Sequence, residues 1–233
     1  MGYSRFDARC AAIVLALCVQ PAITDSSAAD GAGMVEVQDE PHHHVVFENA
    51  AVRILEVNIP AGTSTLYHRH RRDNAAVVLV DIAATNQRLG EPLSPSVVRK
   101  AGGLNFSRAV GEGYVHQVTN VGDTPFRVVD IEFLRAPGVD STPDSSAPIP
   151  SADNERFRAY TVTILPGQSS APLRLAAGVQ VVVSGNHVAR LSDDGAAHMI
   201  DTSAHPWQWR DAGIVILRND SETPALVVEI EIK

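Results

Sequence analysis

Apolar residues along this chain fall in short runs, most of them alternating with polar ones. "VRILEVNI" (52–59), "AVVLVDI" (76–82), "FRVVDIEFL" (126–134), "YTVTIL" (160–165), "VQVVV" (179–183), "IVIL" (214–217) and "LVVEIEI" (226–232) are rich in Val and Ile, with Gly, Pro and Asn between them. β-Branched residues at a period of two, punctuated by turn residues, predict strands. No long stretch carries apolar positions at helical spacing. The stretch 135–153, "RAPGVDSTPDSSAPIPSAD", lacks apolar periodicity and predicts a linker, placed at 136–152. The pattern therefore predicts an all-β protein of two domains, 30–135 and 153–233, each a sandwich or barrel.

The two halves resemble each other. "ENAAVRILEVNIPAG" (48–62) aligns without a gap on "DNERFRAYTVTILPG" (153–167), pairing Asn49 with Asn154, Arg53 with Arg158 and Gly62 with Gly167. "NVGDTPFRVVDIEF" (120–133) aligns on "NDSETPALVVEIEI" (219–232), pairing Thr124-Pro125 with Thr223-Pro224. The matches fall on turn residues and alternating strand positions, which a shared backbone needs. A duplicated β-domain is the economical explanation.

The chain has 233 residues, 45% of them hydrophobic and 20% charged, an ordinary globular balance. Its formal charge of -8 argues against a nucleic-acid partner, which usually calls for a basic surface. Residues 1–29 read as a signal peptide: Arg5 and Arg9, the short apolar run "CAAIVLALCV", then small residues up to Ala29. The expected location is periplasmic or extracellular, with no stable membrane span after cleavage. Both cysteines, Cys10 and Cys18, lie in that segment. The mature chain is thus expected to have no disulfide, no thiolate ligand and no cysteine nucleophile.

Chemistry enters with "LYHRHRRDN" (66–74). Residues two apart on a strand share a face, so His68 and His70 present two imidazoles to one point while Arg69 points away. Imidazole suits Fe, Zn, Cu, Ni or Mn. "GYVHQVTN" (113–120) offers a third ligand, His116, from another strand. An H-x-H pair alone is weak evidence, because a strand histidine is more often a hydrogen-bonded polar residue. The repeat strengthens it. His68, His70 and His116 fall on Leu173, Leu175 and Val215 in the second half, while Arg69 falls on Arg174 and Asn120 on Asn219. Joint replacement by aliphatic residues is expected if the three histidines share one buried cluster whose metal the second half has lost.

At these residues the chain resembles the cupin superfamily, specifically a bicupin. The first cupin motif is G-x5-H-x-H-x3,4-E-x6-G; Gly62, His68 and His70 match it. The second is G-x5-P-x-G-x2-H-x3-N; Gly113, His116 and Asn120 match it, and Gly102 or Gly103 opens it. The resemblance covers about residues 42–233. It implies two tandem cupin-type β-barrels (double-stranded β-helix, or jelly roll), each with a metal or ligand site inside; because the second half has lost the histidines, a metal site is expected only in the first. The chain departs from the motifs where glutamate falls on Asn74, the closing glycine near Asp81 and the proline on Gly111. The expected site is therefore three neutral histidines, with Asn74 or Asp73 as a weak or supporting ligand, although Asp73 should face the other way. By resemblance, three-His cupins include Fe(II) dioxygenases.

The resulting expectation is an exported metalloprotein holding one divalent ion, Fe2+ first, with Mn2+, Zn2+, Cu2+ or Ni2+ open. Its substrate is a small anionic or chelating organic molecule, because a three-His shell leaves the ion's charge unneutralised. Hydrolysis or lyase chemistry on zinc, and non-catalytic binding for sensing or scavenging, stay open, as does a homodimer. Tyr114 is a candidate acid or hydrogen-bond donor. Tyr67 is expected on the outer face. Arg69 is expected at the surface or in the framework, with Arg71 and Arg72 solvated. The run "PHHH" (41–44) is expected to be a surface lead-in, and Trp207 and Trp209 to fill a core or an inter-domain contact.

Overall fold

The computed structural model describes residues 33–136, 138, 148–192 and 194–233. The predicted signal peptide and most of the predicted linker lie outside the described residues. Among the described residues, twenty strands account for nearly all regular structure. The first half contains β1 (Val35–Glu36), β2 (His43–Glu48), β3 (Val52–Ile59), β4 (His68–His70), β5 (Asn74–Val78), β6 (Ile82–Arg88), β7 (Val97–Arg99), β8 (Leu104–Ser107), β9 (Tyr114–Asn120) and β10 (Phe126–Phe133). The second contains β11 (Ala152–Asp153), β12 (Phe157–Ile164), β13 (Leu173–Leu175), β14 (Gly178–Ser184), β15 (Val188–Leu191), β16 (Ala197–Met199), β17 (Trp207–Arg210), β18 (Gly213–Val215), β19 (Leu217–Asn219) and β20 (Ala225–Ile232). Among the described residues the one helical turn is a 3-10 segment, Val37–Asp39. Among the described residues no helix is long and apolar enough to cross a membrane.

The first half folds as two five-stranded sheets, ordered β1-β4-β9-β6-β7 and β2-β3-β10-β5-β8. In the second half, β11-β12-β20-β14-β17 repeats the latter sheet, and the former is divided into β13-β18 and β16-β15-β19. Two runs read as single strands are each two. "AVVLVDI" breaks at Leu79–Asp81, because β5 and β6 belong to opposite sheets and the chain must turn the corner between them. The Asp81 carboxylate holds that corner, accepting from Ala101 N at 3.0 Å and pairing with Lys100 at 2.7 Å. "IVIL" breaks at Ile216, where the divided sheet changes partners.

The duplication is visible in hydrogen bonds. Asn120 donates to Ile59 O at 3.0 Å and Thr124 O at 2.8 Å; Asn219 donates to Ile164 O at 2.9 Å and Thr223 O at 2.8 Å. Gly62 N donates to Asn120 O, and Gly167 N to Asn219 O. Both glycines sit at positive φ, 72° and 70°, where a side chain would be strained.

The barrels share a hydrophobic layer, and Gly33–Lys233 forms one compact unit. On β10, Val129, Ile131 and Phe133 face Phe157, Val228, Ile230 and Ile232 of the second half. Phe133 and Phe157 stack with centroids 5.5 Å apart. Trp207 and Trp209 pack on Phe47 of β2, and the Trp207 indole donates to Glu56 at 3.0 Å. The tryptophans therefore cover the seam between barrels.

The barrel interiors differ. Leu173, Leu175, Val215 and Leu217 fill one end of the second. At the other, Arg210 lies fully buried against Glu229, 2.8 Å from its Oε2, and Gln180 bonds the same carboxylate. Glu229→Ala leaves a buried guanidinium without its counter-charge and is expected to cost about 3–5 kcal/mol. An Arg210→Met/Glu229→Leu double variant is expected to recover most of that loss. Urea denaturation of the three proteins checks both.

Candidate metal centre in the first barrel

The strand register assembles a histidine cluster inside the first barrel. β4 and β9 run antiparallel with His68 opposite His116 and His70 opposite Tyr114. Alternation then sends His68, His70, Tyr114 and His116 to one face. Gly113 permits this approach: a Cβ there would lie 2.1 Å from His70 O. The His116 ring centroid is 4.5 Å from that of His68 and 5.1 Å from that of His70. A fourth imidazole joins from β2. His43 lies 4.5 Å from His68, ring to ring, and the ligand atoms of His43, His68 and His70 lie within 4.8 Å of one another.

Hydrogen bonds set which ring nitrogens are free. His68 Nδ1 faces Leu66 O at 2.9 Å, and His116 Nδ1 faces Asn86 Oδ1 at 3.2 Å. Each oxygen holds a proton on Nδ1 and leaves Nε2 with a lone pair. Both Nε2 atoms are buried without a hydrogen-bond partner, as is His70 Nδ1. That His70 nitrogen lies 3.8 Å from Asp130 Oδ2 and 3.9 Å from Glu132 Oε1, beyond hydrogen-bonding reach.

His43 is held by Glu40. Its Nδ1 lies 2.6 Å from Glu40 Oε2, which also accepts from His42 N, while Oε1 accepts from Leu66 N at 3.1 Å. Burial alone would raise this carboxyl. The hydrogen bonds from His43 and the two backbone amides outweigh it and hold Glu40 at about 2. A carboxylate behind an imidazole is a common support for a metal-binding histidine.

Burial, then the charge of neighbouring His43, pushes His68 down to about 4. Burial and neighbouring imidazoles also push His70 and His116 well below the usual histidine range. The rings are therefore neutral near pH 7, the state that coordinates a cation. Buried, unpartnered, neutral imidazoles from two paired strands fit a borderline metal ion.

No protein-family model matches the chain, and no curated protein sequence matches it. Solved structures do. AerE from Microcystis aeruginosa superposes with a TM-score of 0.58 at 12% identity, covering 83% of this chain and 98% of that one. YhaK from Escherichia coli gives 0.54 at 14%, over 82% and 92%. A cupin 2 conserved barrel domain protein from Leptotrichia buccalis gives 0.50 at 8%, over 82% and 88%. The chain has the bicupin fold. At these identities the likeness is one of fold, and function must be argued from the site.

Within this fold, the structure brings His68, His70 and His116 together and corrects the readings of their neighbours. Asp73 is not a supporting ligand. Its carboxylate accepts from Ala109 N at 2.8 Å and pairs with Arg156 of the second half at 2.6 Å, so it ties the barrels together. Asn74 does face the barrel interior, but its amide is committed. It donates to Asp130 Oδ1 at 2.6 Å and accepts from the Tyr114 hydroxyl at 2.9 Å. Tyr114 stacks on His70, centroids 5.0 Å apart, and burial, followed by the Asp130 charge, raises its phenol above the usual range. It stays protonated and serves as a donor.

His43 is the residue the "PHHH" reading missed. Only this one of the three turns inward; His44 is exposed and His42 partly so. Arg71 is exposed but paired with Glu36 and Glu112. A cavity of about 160 Å³ adjoins the cluster, with His43, His70, His116, Tyr114 and Asp130 in its wall.

Copying the second barrel into the first tests whether the imidazoles are a liability without a cation. The triple variant His68→Leu/His70→Leu/His116→Val removes three unpartnered buried polar groups, each costing about 1–3 kcal/mol. The expected result, by calorimetry in excess chelator, is a melting midpoint higher by about 6 °C or more. A lower midpoint would show that the histidines have other partners.

Proposed function

We propose that this protein is an exported, metal-dependent bicupin whose first barrel binds one divalent ion and one small organic molecule. The observation that carries this is the pair of buried, unpartnered Nε2 atoms of His68 and His116, each oriented by an oxygen on its Nδ1. His68, His70 and His116 form the core ligand set, and His43 extends it. Export is proposed from residues 1–29.

Fe2+ is the first candidate, with Mn2+, Zn2+, Cu2+ and Ni2+ to be compared, since all accept imidazole. A bound redox-active ion would supply O2 activation, and dioxygenation is the first reaction to test. The chain's own residues do the rest. Glu40 fixes the His43 ring, Tyr114 keeps a phenol proton beside His70, and Asp130 stands behind His70. Apolar side chains such as Val57, Val78 and Val128 line the cavity and limit its water.

His43 gives a second reading its footing. Three imidazoles leave open positions for substrate and O2. Four on a tetrahedral ion close the shell, as in a structural or storage site. Binding without turnover is therefore favoured if His43 coordinates a four-coordinate ion.

Elemental analysis of untagged protein is expected to find about one metal per chain, lost in His68→Ala/His70→Ala. No uptake of any of the five ions would reject the reading. Glu40→Gln is expected to weaken metal binding by about 10–100-fold in competition with a coloured chelator, while circular dichroism stays unchanged. For the preferred ion, X-ray absorption of wild type and His43→Ala counts imidazoles. O2 uptake across a panel of small acids and diketones separates catalyst from binder.

A further inference from the structure

The cavity wall carries a positive charge that no described carboxylate neutralises. Arg88 ends β6 in register opposite His116 and lines the cavity. Its Cζ lies 4.9 Å from the Tyr114 ring centroid, so the guanidinium is steadied over an aromatic face. Several other arginines are paired, among them Arg53 with Glu48, Arg71 with Glu36, Arg156 with Asp73 and Arg210 with Glu229. Arg99, on β7, is a second arginine in the cavity wall, but Arg88 is the one set in register beside His116. Among the described residues, Arg88 makes no ion pair. Asp130, the carboxylate in the same wall, is engaged by Asn74 instead.

Away from the histidines, the walls turn apolar, through Val57, Ile59, Val78, Phe126 and Val128. The cavity therefore has a cationic end beside the imidazoles and an apolar body. Its volume of about 160 Å³ is close to that of an engineered cavity that accepts benzene, about 150 Å³.

We propose that the cavity binds a small monocarboxylate with a compact apolar body, its carboxylate held by Arg88 beside the histidine cluster. A guanidinium presents paired donors that match a carboxylate, and Arg88, exposed at the cavity's edge and resting on the Tyr114 ring, favours an anion over its neutral isostere. This names the ligand class for the site proposed above. It rests on that reading for the chemistry done on the ligand, but not for the ligand's affinity.

The test is calorimetric titration with benzoate and with benzamide, its neutral isostere, on chelator-treated and Zn(II)-loaded protein. Benzoate is expected to bind at least about tenfold more tightly than benzamide in both forms, the size of a charge-assisted hydrogen bond. Arg88→Met is expected to abolish that preference, Arg88→Lys to keep part of it, and the surface variant Arg71→Met to leave it intact. Equal binding of the two probes, or no benzoate binding at millimolar concentration, overturns the proposal. So does a preference that survives Arg88→Met: one present only with Zn(II) would show that the ion holds the carboxylate, and one present without metal would show that another cation, such as Arg99, holds it. A preference that depends on Arg88 in protein that takes up no metal upholds this proposal and sinks the metal reading.

Discussion

Strand β10 is buried on both faces, and that constraint organises the molecule. Val129, Ile131 and Phe133 enter the layer between barrels, so the intervening Val128, Asp130 and Glu132 must point into the first barrel. A slip of one residue would send carboxylates into the seam and aliphatic groups to the site. The contact between barrels and the chemistry of the cavity are thus two sides of one register. Asp130 and Glu132 stand behind His70 because their neighbours are needed elsewhere.

The fold was largely legible because its signals are local. Alternating Val and Ile runs marked the long strands, and the paired Asn-Thr-Pro turns marked the repeat; Asn120 and Asn219 make the same hydrogen bonds. The breaks in "AVVLVDI" and "IVIL" were not legible, since a corner between sheets is decided by partners distant in sequence. A continuous apolar run looks the same straight or bent.

The site was legible where spacing reports orientation. Two histidines at a period of two, aligned on two leucines, pointed inward together. His43 sits among like neighbours, so no alternation singles it out, and its direction is set by pairing with Val57. Its signal was Glu40, three residues earlier, a carboxylate placed to reach back to the ring. Asp73 could not be resolved from sequence alone, because its partner, Arg156, belongs to the other half. Asn74 occupies the glutamate position of the motif, yet its amide joins Tyr114 to Asp130 and supports the wall of the cavity.

The filled second barrel has a consequence for how the protein matures. Leu173, Leu175 and Val215, with the Arg210–Glu229 pair, complete its core without any ion. That half needs no ion to fill its interior, and its apolar face packs directly against the first barrel. A small metal domain standing by itself commonly unfolds when stripped. Here the empty barrel would stay leaning on its twin, shaped before the ion arrives. If the first barrel takes the proposed ion, loading would be a late step of entry into a standing cavity, limited by access and ion supply rather than by folding.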